Sequence, residues 1–162
     1  MRYDRPRGVS NIALWTVIHG LPLATNQVHY SLLHRGIERN GVMASAKELG
    51  ITIIAYSPLA QGILTGKFHD DPALIRTRQG PRRFMPSFRK GGLEKSRPVV
   101  EVVKQVAAAH GTSPAQVALA WLLQFHGDTV VAIPGATKPA HVEANVGAMS
   151  LRLSAAELAR LD

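Results

Sequence analysis

The stretch ITIIAYSPLAQGILTGK, residues Ile51–Lys67, joins a predicted buried strand directly to a loop rich in turn-forming residues. Ile51 to Ala55 is a nearly continuous apolar run with β-branched side chains, which is typical of a strand covered on both faces in a parallel sheet. Pro58 ends the strand, and Gly62 and Gly66 let the backbone pass close to a ligand. Strands that feed such loops are where α/β proteins place ligand sites.

Further segments accompany this stretch in a fixed order. Together with AYSPLAQGILTGK they resemble the second half of the aldo-keto reductases, which are NADP(H)-dependent carbonyl reductases folded as (β/α)8 barrels. The resemblance implies an α/β fold, a partial (β/α)8 TIM barrel built from strands five to eight with their helices. The matching segments are GVSN (Gly8–Asn11), NQVHYSLL (Asn26–Leu33), SPAQVALAWL (Ser113–Leu122) and IPGA (Ile133–Ala136).

Length and composition limit the architecture. The chain has 162 residues, enough for one domain with a sizeable core but short of the roughly 250 residues of a complete barrel. We therefore expect residues 1–162 to form a single partial domain. The apolar content of 46% and charged content of 19% are typical of a soluble globular protein. Because the chain has no cysteine, disulfides and thiolate metal sites are excluded, and we assign no metal-binding residue.

The formal charge of +8 is concentrated between Arg76 and Arg97. Prolines and glycines predict that residues 68–97 form a long basic loop, with Phe84 and Phe88 as anchors. The loop has three interpretations: a solvated surface, a contact with a cofactor phosphate, or a nucleic-acid surface. We favour the solvated surface and expect no nucleic-acid partner, because the aromatic side chains are too few for a base-stacking platform.

Hydrophobic spacing and capping residues predict the elements around the motifs. One helix is expected to bury Val42, Ala46 and Leu49 and to stop at Gly50. The predicted strands are residues 2–7, Leu23–Val28, Ile51–Ala55 and Val130–Ile133. The predicted helices are Ile12–Gly20, Glu38–Leu49 and Pro98–His110. Two more helices are predicted, one capped by Thr112 or Ser113 and one that begins with a capping box at Ser154 and Glu157.

The nicotinamide end of the implied cofactor site lies at the strand ends. By resemblance, Ser10, Asn11 and Gln27 hydrogen-bond the nicotinamide carboxamide, and Tyr56 stacks on the nicotinamide ring. Each side chain also has a structural interpretation. Asn11 suits a helix cap, Gln27 a buried amide that satisfies backbone groups, and Tyr56 a core residue with its hydroxyl at the rim.

The rest of the implied site binds the pyrophosphate and the adenosine. The family pattern places a basic residue on the 2′-phosphate and a Glu–Asn pair on the adenine. Asn145 matches the Asn, Ala144 replaces the Glu, His141 stands where an Arg is common, and Lys138 is a candidate phosphate ligand. The residues implied for the pyrophosphate are Ser57, Pro58, Leu59, Gln61, Gly62, Leu64 and Gly66, and those implied for the adenosine end are Gly135, Ala136, Thr137, Lys138, His141 and Asn145.

The catalytic residues of the family lie upstream of the segment that GVSN resembles. They are a Tyr that protonates the carbonyl oxygen and its Lys, Asp and His partners, all on the first four strands. We therefore assign no catalytic residue and predict an NADP(H)-dependent aldo-keto reductase-like oxidoreductase that carries the cofactor-binding residues but lacks the catalytic tetrad. The alternatives are a non-catalytic nucleotide-binding or regulatory remnant and a basic nucleic-acid-binding module.

The expected partners follow from the prediction that the chain forms only half of a barrel. A small carbonyl substrate is expected only if the missing half is supplied. Isolated barrel strands leave open sheet edges, which predicts self-association. No apolar run reaches the roughly 18 residues of a membrane span, so no membrane contact is expected. We expect a cytoplasmic location, or an organellar one if a targeting segment precedes Met1.

Overall fold

A parallel sheet organises the protein. The computed structural model describes Gly20 and residues 23–76 and 84–162. Within these residues, strands β1 (Thr25–His29), β2 (Thr52–Tyr56) and β3 (Val130–Ala132) form one three-stranded sheet in the order β1-β2-β3. Both pairings are parallel, with Gln27 opposite Ile54 and Ile54 opposite Val131. The predicted parallel α/β architecture is confirmed. The predicted strand at residues 2–7 and the helix Ile12–Gly20 lie outside the described residues, apart from Gly20.

Helices fill the connections between and after the strands. Two of them begin at the predicted caps: the side chains of Ser113 and Ser154 each accept a hydrogen bond from the backbone N–H three residues on, and each site is a complete capping box. The helices are α1 (Gly36–Arg39), α2 (Val42–Leu49), α3 (Lys67–Asp70), α4 (Lys90–Ala109), α5 (Pro114–Gln124), α6 (Pro139–Gly147) and α7 (Ala155–Leu161), with short 3₁₀ turns at Ala60–Thr65, Pro72–Ile75, Pro86–Phe88 and Gly127–Thr129. Among the described residues, no helix combines the length and the apolar character needed to cross a bilayer.

The core lies on one face of the sheet, against α4 and α5. Ile53 and Ala55 of β2 are fully buried and share one hydrophobic cluster with Trp121 of α5. Complete burial of a Val or Leu side chain contributes about 1.5–3 kcal/mol, so this face supplies most of the stability. The helical side chains in the cluster include Val100, Val103, Val106, Val117, Ala118 and Leu122.

The opposite face of the sheet is open. Side chains alternate along a strand, so Gln27, Ile54, Tyr56 and Val131 share this face. Tyr56 is 41% exposed and Val131 is 43% exposed, whereas Ala55 and Val130, which precede them on the other face, are buried. The sheet therefore has one packed face and one face with large exposed side chains.

The helix predicted over Glu38–Leu49 is divided in the structure. It is α1 followed by α2, and Gly41 at the break has a φ of 87°, a left-handed conformation that an ordinary helix does not contain. Gly50 ends α2 as predicted, with a φ of 65°. The predicted burial of Leu49 is wrong, because its side chain is 41% exposed while Met43 and Ala46 face the core.

The helix predicted to start at Pro98 begins instead at Lys90. Pro98 lies inside the 20-residue helix α4. An interior proline removes one helical hydrogen bond, but the turn before it is held by buried contacts of Leu93 and Ser96. The basic loop predicted for residues 68–97 is thus largely helical in its described parts, with Phe88 buried as an anchor and Phe84 64% exposed.

A polar cluster fastens α1 to the C-terminal helix. The Arg35 guanidinium donates to both carboxylate oxygens of Glu38 at 2.9–3.0 Å and bonds Asp162 Oδ1 at 2.6 Å. It also lies 5.0 Å from the ring centre of Trp121. Tyr30, which is fully buried, donates its hydroxyl to Glu38. Burial by itself would raise the pKa of Glu38, but the hydrogen bonds from Arg35, Tyr30 and His126 outweigh it and hold that pKa below its usual value.

Replacing Arg35 tests this cluster. Arg35→Met keeps apolar contact with the rings but leaves the half-buried Glu38 carboxylate without its bidentate partner, so we expect a loss of about 2 kcal/mol in the free energy of unfolding. Urea denaturation measures the loss. Arg39→Met removes the same charge from an exposed position on α1 and is expected to change stability by less than about 0.5 kcal/mol. Equal effects of the two substitutions would contradict the prediction.

The capping box of α7 predicts a dependence of stability on pH. Hydrogen bonds from the Ser154 N–H and hydroxyl, each 2.8 Å from Glu157 Oε2, and then one from His110 lower the pKa of Glu157 from 4.5 to about 2. Because the folded-state pKa is depressed, the carboxylate stabilises the fold above pH 4.5, and this contribution is lost as the pH falls toward 2.

Glu157→Gln keeps an oxygen acceptor but removes the charge. We expect the variant to have a lower Tm than the parent chain at pH 7 and the same Tm near pH 2, as followed by circular dichroism. Glu48→Gln makes the same change at an exposed position of α2 and serves as the control. A Tm difference for Glu157→Gln that does not shrink with acidification would overturn this assignment.

Candidate functional site

The turn that follows β2 is strained. Ser57, Ala60 and Gln61 have φ values of 51°, 47° and 57°, in the left-handed region that non-glycine residues rarely adopt. Such a conformation costs about 1–3 kcal/mol per residue and is typical of ligand sites. The turn is held by the Thr65 hydroxyl, which donates to the Gly62 carbonyl oxygen at 2.7 Å. The shape of the turn is therefore fixed by the contacts that hold it and not by the intrinsic backbone preferences of its residues.

This turn forms one wall of a groove. The segment that leaves β3 and the start of α6 form the other wall, because parallel pairing places the carboxyl ends of β2 and β3 side by side. The groove, which we call the strand-end groove, has a volume of about 560 Å³, within the usual range for small-molecule sites. Its lining residues are Ser57, Pro58, Leu59, Gln61, Gly62, Thr65, Lys67, Ala115, Ile133, Pro134, Gly135, Ala136, Thr137, His141, Ala144 and Asn145.

The groove favours negative charge. Among the described residues that line it, only Lys67 and His141 are titratable, and none is a carboxylate. A Cβ atom placed on Gly62 would lie 3.9 Å from Nζ of Lys67, so the ammonium stands directly beside the strained turn. His141 lies in the first turn of α6, where the positive end of the helix dipole also attracts anions. The chemistry of these donors fits a phosphorylated ligand.

The structure gathers most of the predicted cofactor residues in the groove. Ser57, Pro58, Leu59, Gln61, Gly62, Gly135, Ala136, Thr137, His141 and Asn145 all line it. Leu64 does not, since its side chain is completely buried in the core. Gly66 lies against the side chain of Lys104, and Lys138 is exposed at the N-cap of α6 outside the lining.

The residues predicted for the nicotinamide lie beside the groove or outside the described residues. Tyr56 directly precedes the strained turn, and Gln27 shares the open sheet face with it. Gln27 is exposed, so the alternative of a buried structural amide is wrong. Ser10 and Asn11 lie outside the described residues.

One ring face of Tyr56 is already in contact with a neighbour. The His29 ring stacks on it with ring centres 5.1 Å apart, and His34 stacks on His29 at 3.9 Å. Burial, followed by the charge of His34, lowers the pKa of His29. The stack orients Tyr56 at the end of the groove.

Sequence reasoning missed some of the groove. Lys67 is the last residue of the stretch Ile51–Lys67 and was not predicted as a site residue. The signal that could have identified it is its charge next to a glycine-rich turn. Ala144, which the sequence places at the adenine end where the family commonly has a Glu, also lines the groove, one turn after His141. No comparable signal in the sequence marks Ala115, which reaches the groove from the start of α5.

Solved structures with a similar fold confirm the partial barrel. The glycerol dehydrogenase of Gluconobacter oxydans superposes with a TM-score of 0.78 at 28% identity, covering 95% of this chain and 46% of that protein. An aldo-keto reductase of Klebsiella pneumoniae, solved in complex with NADPH, superposes with a TM-score of 0.59 at 32% identity and covers 86% of this chain and 38% of that protein. The three-stranded sheet and its helices therefore match part of an aldo-keto reductase barrel.

Sequence comparisons agree with the structural ones. The chain is 37% identical over 140 residues to an aldo-keto reductase of Strobilurus tenacellus and 40% identical over 153 residues to an uncharacterized oxidoreductase of Mycobacterium bovis. It covers 41% and 45% of those proteins, so it spans less than half the length of these curated relatives. The sequence profile of the Aldo/keto reductase family matches residues 5–162, and the chain therefore belongs to that family of oxidoreductases.

Proposed function

We propose that the chain binds NADP(H) in the strand-end groove and forms the cofactor-binding part of a carbonyl-reducing oxidoreductase. The observation that carries the proposal is the groove itself, which brings together two separate sequence segments and two basic side chains without a carboxylate. The similar Klebsiella protein solved with NADPH supports it. When bound, the nicotinamide would supply the hydride for carbonyl reduction.

Different residues of the chain would bind different parts of the cofactor. The turn Ser57–Gly62 would follow the pyrophosphate with its backbone, and its rigidity would lower the entropy lost on binding. Asn145 would bind the adenine, and Tyr56, backed by His29, would support the nicotinamide ring. Ala144 has no group that can bind the adenine amine where the family commonly has a Glu.

For the charge on the cofactor phosphates we favour Lys67 over Lys138. Both lysines lie near glycines in the sequence, but only Lys67 lines the groove. His141 adds a second donor on the opposite wall. We therefore propose Lys67, in preference to Lys138, as the residue that contacts the cofactor phosphates.

A second candidate function is nucleotide binding without catalysis. It is favoured by the groove lining, where the described residues include Lys67 and His141 but no Tyr or carboxylic acid that could protonate a carbonyl oxygen. We propose that the proton donor comes from a polypeptide segment beyond these 162 residues.

Net charge is the one observation that favours a nucleic-acid role. Self-association through strand edges stays a prediction that sedimentation can test.

Binding of NADPH tests the proposal directly. We expect cofactor fluorescence to change on titration with the chain, and Lys67→Gln to weaken binding about tenfold, as for the loss of a charge-assisted contact to phosphate. Lys138→Gln is the matched control and is expected to weaken binding less than about threefold. Absence of any NADPH binding would refute the proposal, and a larger effect at Lys138 would refute the choice of lysine.

Carbonyl reduction tests whether the chain contains its own proton donor. With NADPH bound, we expect the 162-residue chain to leave the cofactor unoxidised when a small aldehyde is added, because loss of a general acid alone costs about 10²–10⁴-fold in rate. Absorbance at the reduced-nicotinamide band follows the reaction. Turnover at an ordinary enzymatic rate would show that the chain contains its own proton donor.

A further inference from the structure

A second cavity opens beside the strand-end groove. It has a volume of about 460 Å³ and lies between the loop that follows β1, the turn that follows β2 and the first part of α4. We call it the His29 cavity. Its polar lining includes His29, His34, Gln61, Ser87 and Lys95. No sequence motif singled it out.

The position of the cavity relates it to the proposed cofactor. Gln61 lines both the His29 cavity and the strand-end groove, so the two spaces meet at this residue. His29, on the cavity wall, also stacks on Tyr56, the residue proposed to support the nicotinamide. A molecule in the His29 cavity would therefore lie next to the reactive end of the cofactor. This step rests on the proposed function.

The polar groups of the cavity share the ability to donate hydrogen bonds. Lys95 carries a positive charge, the side chains of His29, His34, Gln61 and Ser87 each have a donor, and no carboxylate is found among the described lining residues. The nearest acidic residue along α4, Glu94, forms an ion pair with Arg97 at 3.5 Å and lines a different cavity. The positive charge of Lys95 is thus not neutralised by a carboxylate among the described lining residues.

The remaining wall is apolar. Leu33, Ile63 and Met85 face the cavity together with the basic groups. Apolar walls with a few convergent charged groups are typical of sites for small organic anions, because the walls bind the carbon chain and the charges fix its end. A bulky neutral ligand would leave the basic groups without acceptors.

We propose that the His29 cavity binds the carboxylate end of a short-chain carbonyl substrate. Lys95 and the His29–His34 pair would hold the carboxylate, and the Leu33, Ile63 and Met85 side chains would contact the chain that leads to the carbonyl group. The cavity is therefore expected to bind a ligand with a carboxylate more tightly than a ligand with a neutral group.

The test compares butyrate with butyramide, which have the same size and differ in charge. Isothermal calorimetry on the NADPH-loaded chain at constant ionic strength is expected to show butyrate binding about fivefold tighter, which is the upper range for an exposed ion pair. Lys95→Gln is expected to remove about that factor for butyrate and to leave butyramide unchanged. Lys90→Gln, which removes the same charge from a residue of α4 that lines the other cavity, is expected to change neither.

The outcomes separate this inference from the proposed function. Equal affinity for butyrate and butyramide in a chain that binds NADPH contradicts the inference alone. Butyrate that binds only without NADPH and competes with it occupies the cofactor's phosphate site, which also contradicts the inference. Failure of NADPH to bind contradicts the proposed function instead, and fluorescence titration detects that before any butyrate is added.

Discussion

The parallel pairing of β2 with β3 is the constraint on which the site depends. It places Tyr56 beside Ile133, whose N–H donates to the Ala55 carbonyl oxygen at 3.1 Å, so the segments that leave both strands start from neighbouring points. The strained turn and the start of α6 then face each other across the groove. Residues of both segments line the groove, and the register of the sheet brings them together.

The strain in the turn follows from the same constraint. Residues with left-handed backbone are held by the Thr65 hydroxyl and by the hydrogen bond from the Ala60 N–H to the Ser57 carbonyl oxygen at 2.9 Å. The core beneath the turn, with Ile63 and Leu64 buried, supplies the energy that keeps this conformation. A rigid turn of this kind presents the same surface before and after a ligand binds.

Much of this arrangement could be predicted from sequence because it depends on local signals. The apolar run before Tyr56, the capping serines at positions 113 and 154 and the glycine after Leu49 each have a short-range cause. The start of α4 could not be predicted, because the packing of Leu93 and Ser96 extends the helix upstream of a proline. The choice between Lys67 and Lys138 likewise depends on which side chain points into a space formed by distant segments.

Among the described residues, only one face of the sheet is covered. Tyr56, Val131 and Ile133 stand on the uncovered face at 41–46% exposure, and Tyr56 directly precedes the strained turn of the groove. A polypeptide layer that closed over this face would dry the surroundings of Tyr56 in the same event that completed the hydrophobic interior. Covering of this face and desolvation of Tyr56 are therefore thermodynamically linked.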